Sequence, residues 1–271
     1  YFHSMTIHDS EDVVHPYELK MTNYLIDRHD VLQFPVFPIQ RMPSLKNIWK
    51  GMTSGTYADE FAENHYRLMR MRSDLSAVVP SAGTGFVITH RVLDACQNEP
   101  LFPEDSQTED YKLSLLLAMK GFPVHYVLEK VPRLLDSNQV RWDYVATRSL
   151  FPSTFRTAVR QKTRWIYGIT MQSVRLADII KGKYLTPSAK YTIYKDLMAK
   201  VGNLLILPGY LVFIYFLVSL FTSVPVMYPL FSFSWWLCVF LTTMMIAQQI
   251  KRGVAITNVY GFKSAAVACL L

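Results

Sequence analysis

Cysteine is scarce in this sequence of 271 residues, which has three, at Cys96, Cys238 and Cys269. An odd number at scattered positions does not make the framework of a disulfide-stapled domain, so that class of fold is excluded. We expect the three side chains to be reduced, structural thiols. The length leaves room for one large domain or two modest ones.

Charge is absent from the stretch between Val201 and Ile250, which contains no Asp, Glu, Lys, Arg or His. Its two apolar segments, NLLILPGYLVFIYFLVSLF and YPLFSFSWWLCVFLTTMMIA, each have about the 20 residues that a helix needs to cross a bilayer. We therefore predict a transmembrane helical hairpin over residues 201–250. The alternative is a very apolar hairpin buried inside a soluble core.

Acidic residues are almost missing between Arg148 and Lys183, where Asp178 stands among eight basic residues. No nucleic-acid-binding motif accompanies this segment, so we expect no nucleic acid partner, although the net charge is +7. Because the segment directly precedes the apolar stretch, we predict that it contacts anionic membrane lipids. Residues 151–200 are predicted to form amphipathic helices at the membrane surface, with one long helix from Pro152 to about Ile180.

The basic residues on both sides of the hairpin predict its orientation. Five lysines between residues 181 and 200 precede the first apolar segment, and Lys251 and Arg252 follow the second. Under the positive-inside rule both ends of the hairpin face the cytoplasm. Residues 1–200 and the return segment 251–271 are then cytoplasmic as well.

The first 150 residues alternate short apolar runs with helical patterns, which predicts an α/β fold. Strands are expected at YFHSMTIH, FVITH and HYVLE, and a long helix over TYADEFAENHYRLMRMRSDL. A second helix is expected over TEDYKLSLLLAMKGF, with Thr108 as its N-cap and Gly121 just past its end. The chain opens without Met and in the middle of a strand, so we expect it to be a fragment of a longer protein.

Three carboxylates, Asp9, Glu11 and Asp12, follow the first predicted strand directly. At the carboxyl end of a strand in an open α/β sheet they would point into the crevice where ligands bind. Carboxylate oxygens there suit Mg²⁺ or Mn²⁺, with the remaining positions filled by water and a diphosphate. The alternative is a solvated acidic turn whose charges favour the N-terminus of the next helix.

Two further motifs could carry chemistry. The tripeptide TED puts Glu109 and Asp110 at a helix start. A carboxylate there is either a general base or a negative charge that stabilises the positive end of the helix dipole. The segment QKTRW places Gln161, Arg164 and Trp165 on one helix face. Arginine binds phosphate and an indole is a platform for a sugar ring, but an interfacial Arg and Trp are also common at membrane surfaces.

Taken together, the order of these motifs ahead of membrane spans resembles the processive family 2 glycosyltransferases of the cellulose synthase-like group. More closely, the blocks HDSEDVVHPYEL, YADEFAE, PSAGTG, DSQTEDY and RQKTRW resemble a phage-adsorption group of bacterial inner-membrane glycosyltransferases. The resemblance covers roughly residues 5–175. It implies that residues 1–150 are the C-terminal part of a GT-A (nucleotide-diphospho-sugar transferase) domain, whose nucleotide-recognition half lies upstream.

The same resemblance implies roles for single residues. Asp110 matches the catalytic base, and Asp9 and Glu11 match the ligands of Mg²⁺ or Mn²⁺, with Asp12 as an additional ligand. The family usually has Asp where Glu11 stands, so Glu11 and Asp12 are alternatives for that position. The residues implied in donor and acceptor binding are Ser81, Ala82, Gly83, Glu109, Gln161, Arg164 and Trp165.

The implied function is inverting transfer of a sugar from a nucleotide diphosphate sugar, of the UDP type, to a growing polysaccharide. The implied place is the bacterial inner membrane, with several spans, a cytoplasmic catalytic part and an outer-membrane export partner. Two alternatives stay open at this point. One is a receptor or scaffold that has kept the fold without turnover, and the other is non-processive transfer of one sugar to a lipid carrier.

Overall fold

The computed structural model describes residues 2–39, 46, 48–102, 106–134, 137–173, 175–225 and 228–268, so Cys269 lies outside the described part of the chain. The elements confirm the predicted α/β part followed by long helices. Its strands are β1 (Ser4–Ile7), β2 (Val31–Gln33), β3 (Val36–Pro38), β4 (Phe86–Thr89), β5 (His125–Tyr126), β6 (Lys130–Leu134), β7 (Val140–Tyr144) and β8 (Thr147–Ser149). Its α-helices are α1 (Glu18–Leu25), α2 (Ile48–Glu63), α3 (Met69–Asp74), α4 (His90–Ala95), α5 (Glu109–Met119), α6 (Phe155–Tyr167), α7 (Leu176–Lys181), α8 (Pro187–Ser219), α9 (Phe233–Tyr260) and α10 (Phe262–Ala268).

A four-stranded sheet in the order β1-β4-β2-β5 forms the centre of the α/β part. Strand β4 pairs antiparallel with both β1 and β2, and β2 pairs parallel with β5. Strands β2 and β4 are buried along their whole length, which explains their unbroken apolar runs. The strand predicted at HYVLE is shorter than expected, because regular pairing covers His125 and Tyr126 alone.

Two small sheets extend this core. Strand β3 pairs parallel with β8, and β6 pairs antiparallel with β7 to form a hairpin. The burial of β6 alternates residue by residue between partly buried and exposed, as expected for a strand with one face towards solvent.

Helix α5 carries the TED motif at its first turn. Thr108 occupies the N-cap position, as predicted, but its side chain makes no capping hydrogen bond and lies 3.2 Å from the Ser173 hydroxyl instead. The helix ends at Met119, and Gly121 follows with a φ of +88°, which confirms its predicted place just past the helix.

The prediction of one long helix from Pro152 to Ile180 is wrong. Helix α6 gives way to a π-helical turn at Gly168–Ser173, and the separate helix α7 follows. A β-carbon on Gly168 would come within 2.5 Å of the Thr108 hydroxyl oxygen, so glycine allows the turn to pack against the start of α5. Phe155, Val159 and Ile166 stay exposed on α6, whereas Ile169 packs into a buried cluster with Leu185.

Helices α8 and α9 contain the uncharged stretch. Helix α9 is long and apolar enough to cross a membrane, and none of its most apolar 18-residue window is buried. Helix α8 meets the same test when its two halves, Pro187–Gly202 and Leu204–Ser219, are taken together across a bend of 47°. The exposure of α9 disagrees with an apolar hairpin buried in a soluble core.

The far end of α9 packs back onto the α/β part. Ile256 is buried with Ala58 and Ala62 of α2, and with small residues of α10. Beside them the Arg252 guanidinium contacts both carboxylate oxygens of Asp59, each at 2.7 Å from Nε. The YADEFAE segment, which has no evident role in the sequence, is thus the surface on which α9 docks.

Candidate active site

A cavity of about 420 Å³ lies where α2, α5 and α6 approach the loop before β4. The side chain of Asp110 lines this cavity together with Trp165 on the opposite helix. Ser81 and Ala82 of the PSAGTG loop line it as well. Segments that are distant in sequence, from the loop, the TED motif and the QKTRW motif, therefore meet at one concave site.

Asp110 is held in the first turn of α5, where its Oδ1 accepts a hydrogen bond from the backbone N–H of Tyr111 at 2.8 Å. Burial is the main influence on this carboxyl group and raises its pKa to about 6. The charge of Glu109 raises that pKa further, and the charge of Arg164 lowers it. A carboxyl group with a pKa near 6 can both accept and release a proton at neutral pH.

The PSAGTG loop lies directly against this carboxylate. Gly83 has a φ of +79°, and a β-carbon there would lie 3.4 Å from Oδ2 of Asp110. The loop is fixed from both sides, because the N–H of Ser81 donates to the Ser114 hydroxyl at 2.6 Å and the N–H of Ala82 donates to Oε1 of Gln33 at 2.9 Å. Its backbone therefore forms a rigid wall beside Asp110.

Gln33 is a residue that sequence reasoning missed. It is fully buried on β2, and its amide nitrogen donates to the carbonyl groups of Phe34 and Thr84 at 2.7 and 2.8 Å. A buried amide is unfavourable unless its hydrogen bonds are satisfied, so Gln33 ties the loop to the sheet. The signal was a single polar residue inside the apolar run VLQFPVF.

The acidic turn after β1 is a compact structure in which Asp12 is the centre. One oxygen of Asp12 accepts hydrogen bonds from the backbone N–H of Asp9, at 3.2 Å, and from the hydroxyl of Thr84. The other oxygen, Oδ1, is buried and has no hydrogen-bond partner among the described residues. Glu11 is exposed and accepts a hydrogen bond from the Ser10 hydroxyl at 3.2 Å.

The charge environment of Asp9 links this turn to the cavity. Burial raises the pKa of Asp9, and the charges of Asp12 and Glu11 raise it further. Arg164 lowers that pKa and Glu109 raises it, and the same two residues act on Asp110. Arg164 thus lies within electrostatic range of both carboxyl groups, which brings the three motifs into one neighbourhood.

The acidic turn offers a divalent cation fewer carboxylates than the sequence predicts. Among the described residues no group of three or more His, Cys, Asp or Glu side chains is placed to hold a metal ion. The expected set of three carboxylates is therefore not seen, and Glu11 bonds its neighbour Ser10 instead. Mg²⁺ needs one or two protein carboxylates, however, and the unpartnered Oδ1 of Asp12 beside Asp9 suits that smaller set.

The three residues of QKTRW take different positions on α6. Trp165 lines the cavity, where its ring lies about 6.1 Å from the rings of Tyr57 and Phe61. Arg164 is exposed, and Gln161 is partly buried with an Oε1 that has no hydrogen-bond partner in the described part of the chain. Of these three residues Trp165 is the one that lines the cavity, and Lys162 of the same motif lines it as well.

A buried ion pair that the sequence did not indicate joins α8 to this site. The Arg72 guanidinium contacts Asp196 of α8 at 2.6 Å, and the Tyr111 hydroxyl donates to the same carboxylate at 2.7 Å. All three side chains line the cavity. Tyr111 follows Asp110 directly, so this pair couples the first half of α8 to the start of α5.

Similarity to known proteins identifies the family of this chain. A family model described as "Glycosyl transferase family group 2" matches residues 5–250. The curated relative "Bacteriophage adsorption protein B" of Escherichia coli strain K12 is 32% identical over 99% of this chain, and "Bacteriophage N4 adsorption protein B" of Escherichia coli O157:H7 is equally similar. The chain spans 37% of the length of these relatives. This chain belongs to glycosyl transferase family group 2.

Proposed function

We propose that the protein is a membrane-bound inverting glycosyltransferase that moves a sugar from a nucleotide diphosphate sugar to a growing polysaccharide. The observation that supports this most is the Asp110 carboxyl group, which has a pKa of about 6 and lines a cavity opposite the ring of Trp165. Transfer to a hydroxyl group requires a base whose pKa lies near neutral pH. The indole of Trp165 adds a flat apolar surface on which a sugar ring can stack.

In the proposed reaction Asp110 accepts the proton of the acceptor hydroxyl group as its oxygen attacks the anomeric carbon. The bond from that carbon to the diphosphate breaks on the opposite face, so the configuration inverts. A β-carbon at position 83 would lie 3.4 Å from Oδ2, so the absence of a side chain at Gly83 keeps this side of the carboxylate open to the acceptor. Burial raises the pKa of Asp110 most, and the charge of the neighbouring Glu109 raises it further.

The leaving diphosphate needs positive charge. Arg164 is the protein group suited to this, because a guanidinium forks two donors onto phosphate oxygens and this one acts on both Asp9 and Asp110. Asp9 and Asp12, with Glu11 as a further ligand, would hold Mg²⁺ or Mn²⁺. When such an ion is bound, it neutralises negative charge on the departing nucleotide.

The acceptor site is proposed along the apolar side of the cavity. Trp165 stacks against one sugar ring, and the rings of Tyr57 and Phe61 fix the indole in place. Ser81 and Ala82 contribute the opposite wall, whose backbone is held by Ser114 and Gln33. Gln161 lies one helical turn before Trp165, and its unpartnered Oε1 would accept a hydrogen bond from an acceptor hydroxyl group.

The proposed location is the bacterial inner membrane, with α8 and α9 as spans and the catalytic part in the cytoplasm. The exposed apolar side chains Phe155 and Val159 on α6 support contact with membrane lipids. A UDP-sugar donor and an outer-membrane export partner complete the proposal. The name of the curated relatives concerns bacteriophage adsorption, and a surface polysaccharide made by such an enzyme is one way to connect the two.

The test is nucleotide release by the full-length protein, purified in nanodiscs and supplied with a panel of UDP-, GDP- and dTDP-sugars and Mg²⁺ or Mn²⁺. We expect release with at least one donor, and chain-length analysis of the product separates a polymerase from transfer of one sugar to a lipid carrier. Absence of release with every donor, from protein that still melts cooperatively, would contradict the proposal and favour a silent receptor.

A further inference from the structure

A glutamate in the first turn of α1 is fully buried. Glu18 has no exposed surface, and the Nε2 atom of His8 lies 2.8 Å from its Oε1. The hydroxyl group of Thr147 on β8 donates to its other oxygen, Oε2, at 3.5 Å. A buried carboxylate is unfavourable for folding, and apolar residues in place of a buried ion pair often stabilise a protein as well or better. Packing alone therefore gives no reason for a glutamate at this position.

His8 joins this glutamate to the PSAGTG loop. It follows β1 directly, and its second ring nitrogen, Nδ1, lies 3.2 Å from the hydroxyl oxygen of Thr84. The hydroxyl proton of Thr84 is used elsewhere, because that hydroxyl group donates to Oδ2 of Asp12. The Thr84 oxygen must then accept a hydrogen bond from His8, so Nδ1 carries a proton. The hydrogen bonds therefore run in one direction, from His8 to Thr84 and on to Asp12.

Thr84 lies where the two parts of the candidate active site meet. It is 2% exposed, and its carbonyl group accepts a hydrogen bond from the buried Gln33 amide at 2.8 Å. The preceding residue, Gly83, lies against the carboxylate of Asp110. The Thr84 hydroxyl group fixes the acidic turn through Asp12. One buried residue therefore connects the loop beside the proposed base to the carboxylates that are proposed to hold the cation.

We infer that Thr84 is a positioning residue for sugar transfer, whose hydroxyl group orients the Asp12 carboxylate. The buried pair of His8 and Glu18 holds the Thr84 hydroxyl group in the direction that this requires. The inference rests on the proposed function, because it takes Asp12 as a ligand of Mg²⁺ or Mn²⁺. A carboxylate that bonds a fixed donor keeps one orientation before the cation arrives, and loss of such a donor lowers metal affinity about 10- to 100-fold.

The test measures the Mn²⁺ affinity of the full-length protein in nanodiscs, from the electron paramagnetic resonance signal of free Mn²⁺, at a temperature at which every variant is folded. Thr84→Val removes the hydroxyl group and keeps the shape of the side chain, and Thr84→Ser keeps a hydroxyl group. The matched control is Thr22→Val, at a residue that is 4% exposed and whose hydroxyl group has no hydrogen-bond partner among the described residues. The Mn²⁺ dependence of nucleotide release is measured on the same preparations.

We expect Thr84→Val to lower the affinity for Mn²⁺ about tenfold or more, and to raise the Mn²⁺ concentration for half-maximal nucleotide release by a similar factor. Thr84→Ser should recover most of this loss, and Thr22→Val should bind Mn²⁺ as the wild type does. A purely structural role of Thr84 would lower the melting temperature of Thr84→Val and leave the Mn²⁺ affinity of the folded variant unchanged. That result would overturn the inference.

The pair behind Thr84 is tested by replacing both of its members, as His8→Leu with Glu18→Met, so that neither is left as an unpaired charge. This variant should also lose Mn²⁺ affinity, with little further loss when Thr84→Val is added, because the pair acts through the Thr84 hydroxyl group. Losses that simply add would overturn the role of the pair. Nucleotide release by the wild type, with unchanged Mn²⁺ affinity in Thr84→Val, would overturn the inference alone. A wild type that neither binds Mn²⁺ nor releases nucleotide would overturn the proposed function as well.

Discussion

Replacing Asp110 by Asn tests the proposed base, because it keeps the shape of the side chain and removes its charge. General-base assistance contributes about 10²- to 10⁴-fold to a rate, so we expect turnover to fall by that range while the donor still binds. The wild-type rate should also fall below a pH of about 6, since Asp110 must be ionised to accept a proton. The residual rate of the Asp110→Asn variant should not show this fall at acidic pH.

Asp110→Asn is expected to lower turnover but to raise the free energy of unfolding at neutral pH. Burial raises the pKa of Asp110 from an ordinary value of 3.8 to about 6, so the ionised carboxylate costs the folded state roughly 3 kcal/mol at neutral pH. Because the folded state binds the proton more tightly than the unfolded state, this cost is absent below pH 4 and develops as the pH rises towards 6. Asp110→Asn should therefore melt at a higher temperature than the wild type at pH 7, and at a similar temperature near pH 4.

The assay combines nucleotide release between pH 5 and pH 8 with thermal unfolding of the same preparations. Asp94→Asn is the matched control, because it makes the same chemical change on an exposed carboxylate of α4 that lies outside the cavity. It should change neither quantity by much. Near-full activity of Asp110→Asn, or a loss of stability at pH 7 larger than that of the control, would refute the reasoning.

Two further predictions concern the cavity at Asp110, and a third concerns the docking of α9. Trp165→Ala should raise the KM for the acceptor by about 2- to 10-fold with a smaller change in kcat, and an unchanged KM in acceptor titrations would argue against stacking. Asp196→Asn should lower stability by about 3 kcal/mol, because it leaves the buried charge of Arg72 unpaired, as thermal unfolding would show. Arg252→Gln, which removes the pair with Asp59, should lower the melting temperature and increase protease cleavage between α9 and the α/β part, and identical cleavage would contradict the docking role.

The apolar periodicity was sufficient to predict the larger elements. The continuous apolar run FVIT placed β4 correctly, and the position of Gly121 predicted the end of α5, because these features depend on local sequence. The break in α6 could not be predicted in this way. The π-helical turn that follows α6 packs with Gly168 against Thr108, which lies 60 positions earlier in the chain.

The candidate site was predictable where a motif keeps its residues together in sequence. Asp110, Trp165 and the loop at Ser81 line one cavity, and their roles in catalysis and binding stay predictions. Asp196 and Gln33 were missed because their importance comes from partners distant in sequence, and a lone polar residue in an apolar run gives little indication of its partner.

The measurement that tests the central claim most directly is a structure of the full-length protein with UDP and Mn²⁺, in which the anomalous signal locates the ion. The proposal predicts the ion about 2 Å from a carboxylate oxygen of Asp9 or Asp12. It also predicts the diphosphate beside Arg164, with its terminal phosphate directed into the cavity at Asp110. A nucleotide bound away from that cavity, with its diphosphate out of reach of Arg164 and the acidic turn, would contradict the proposal.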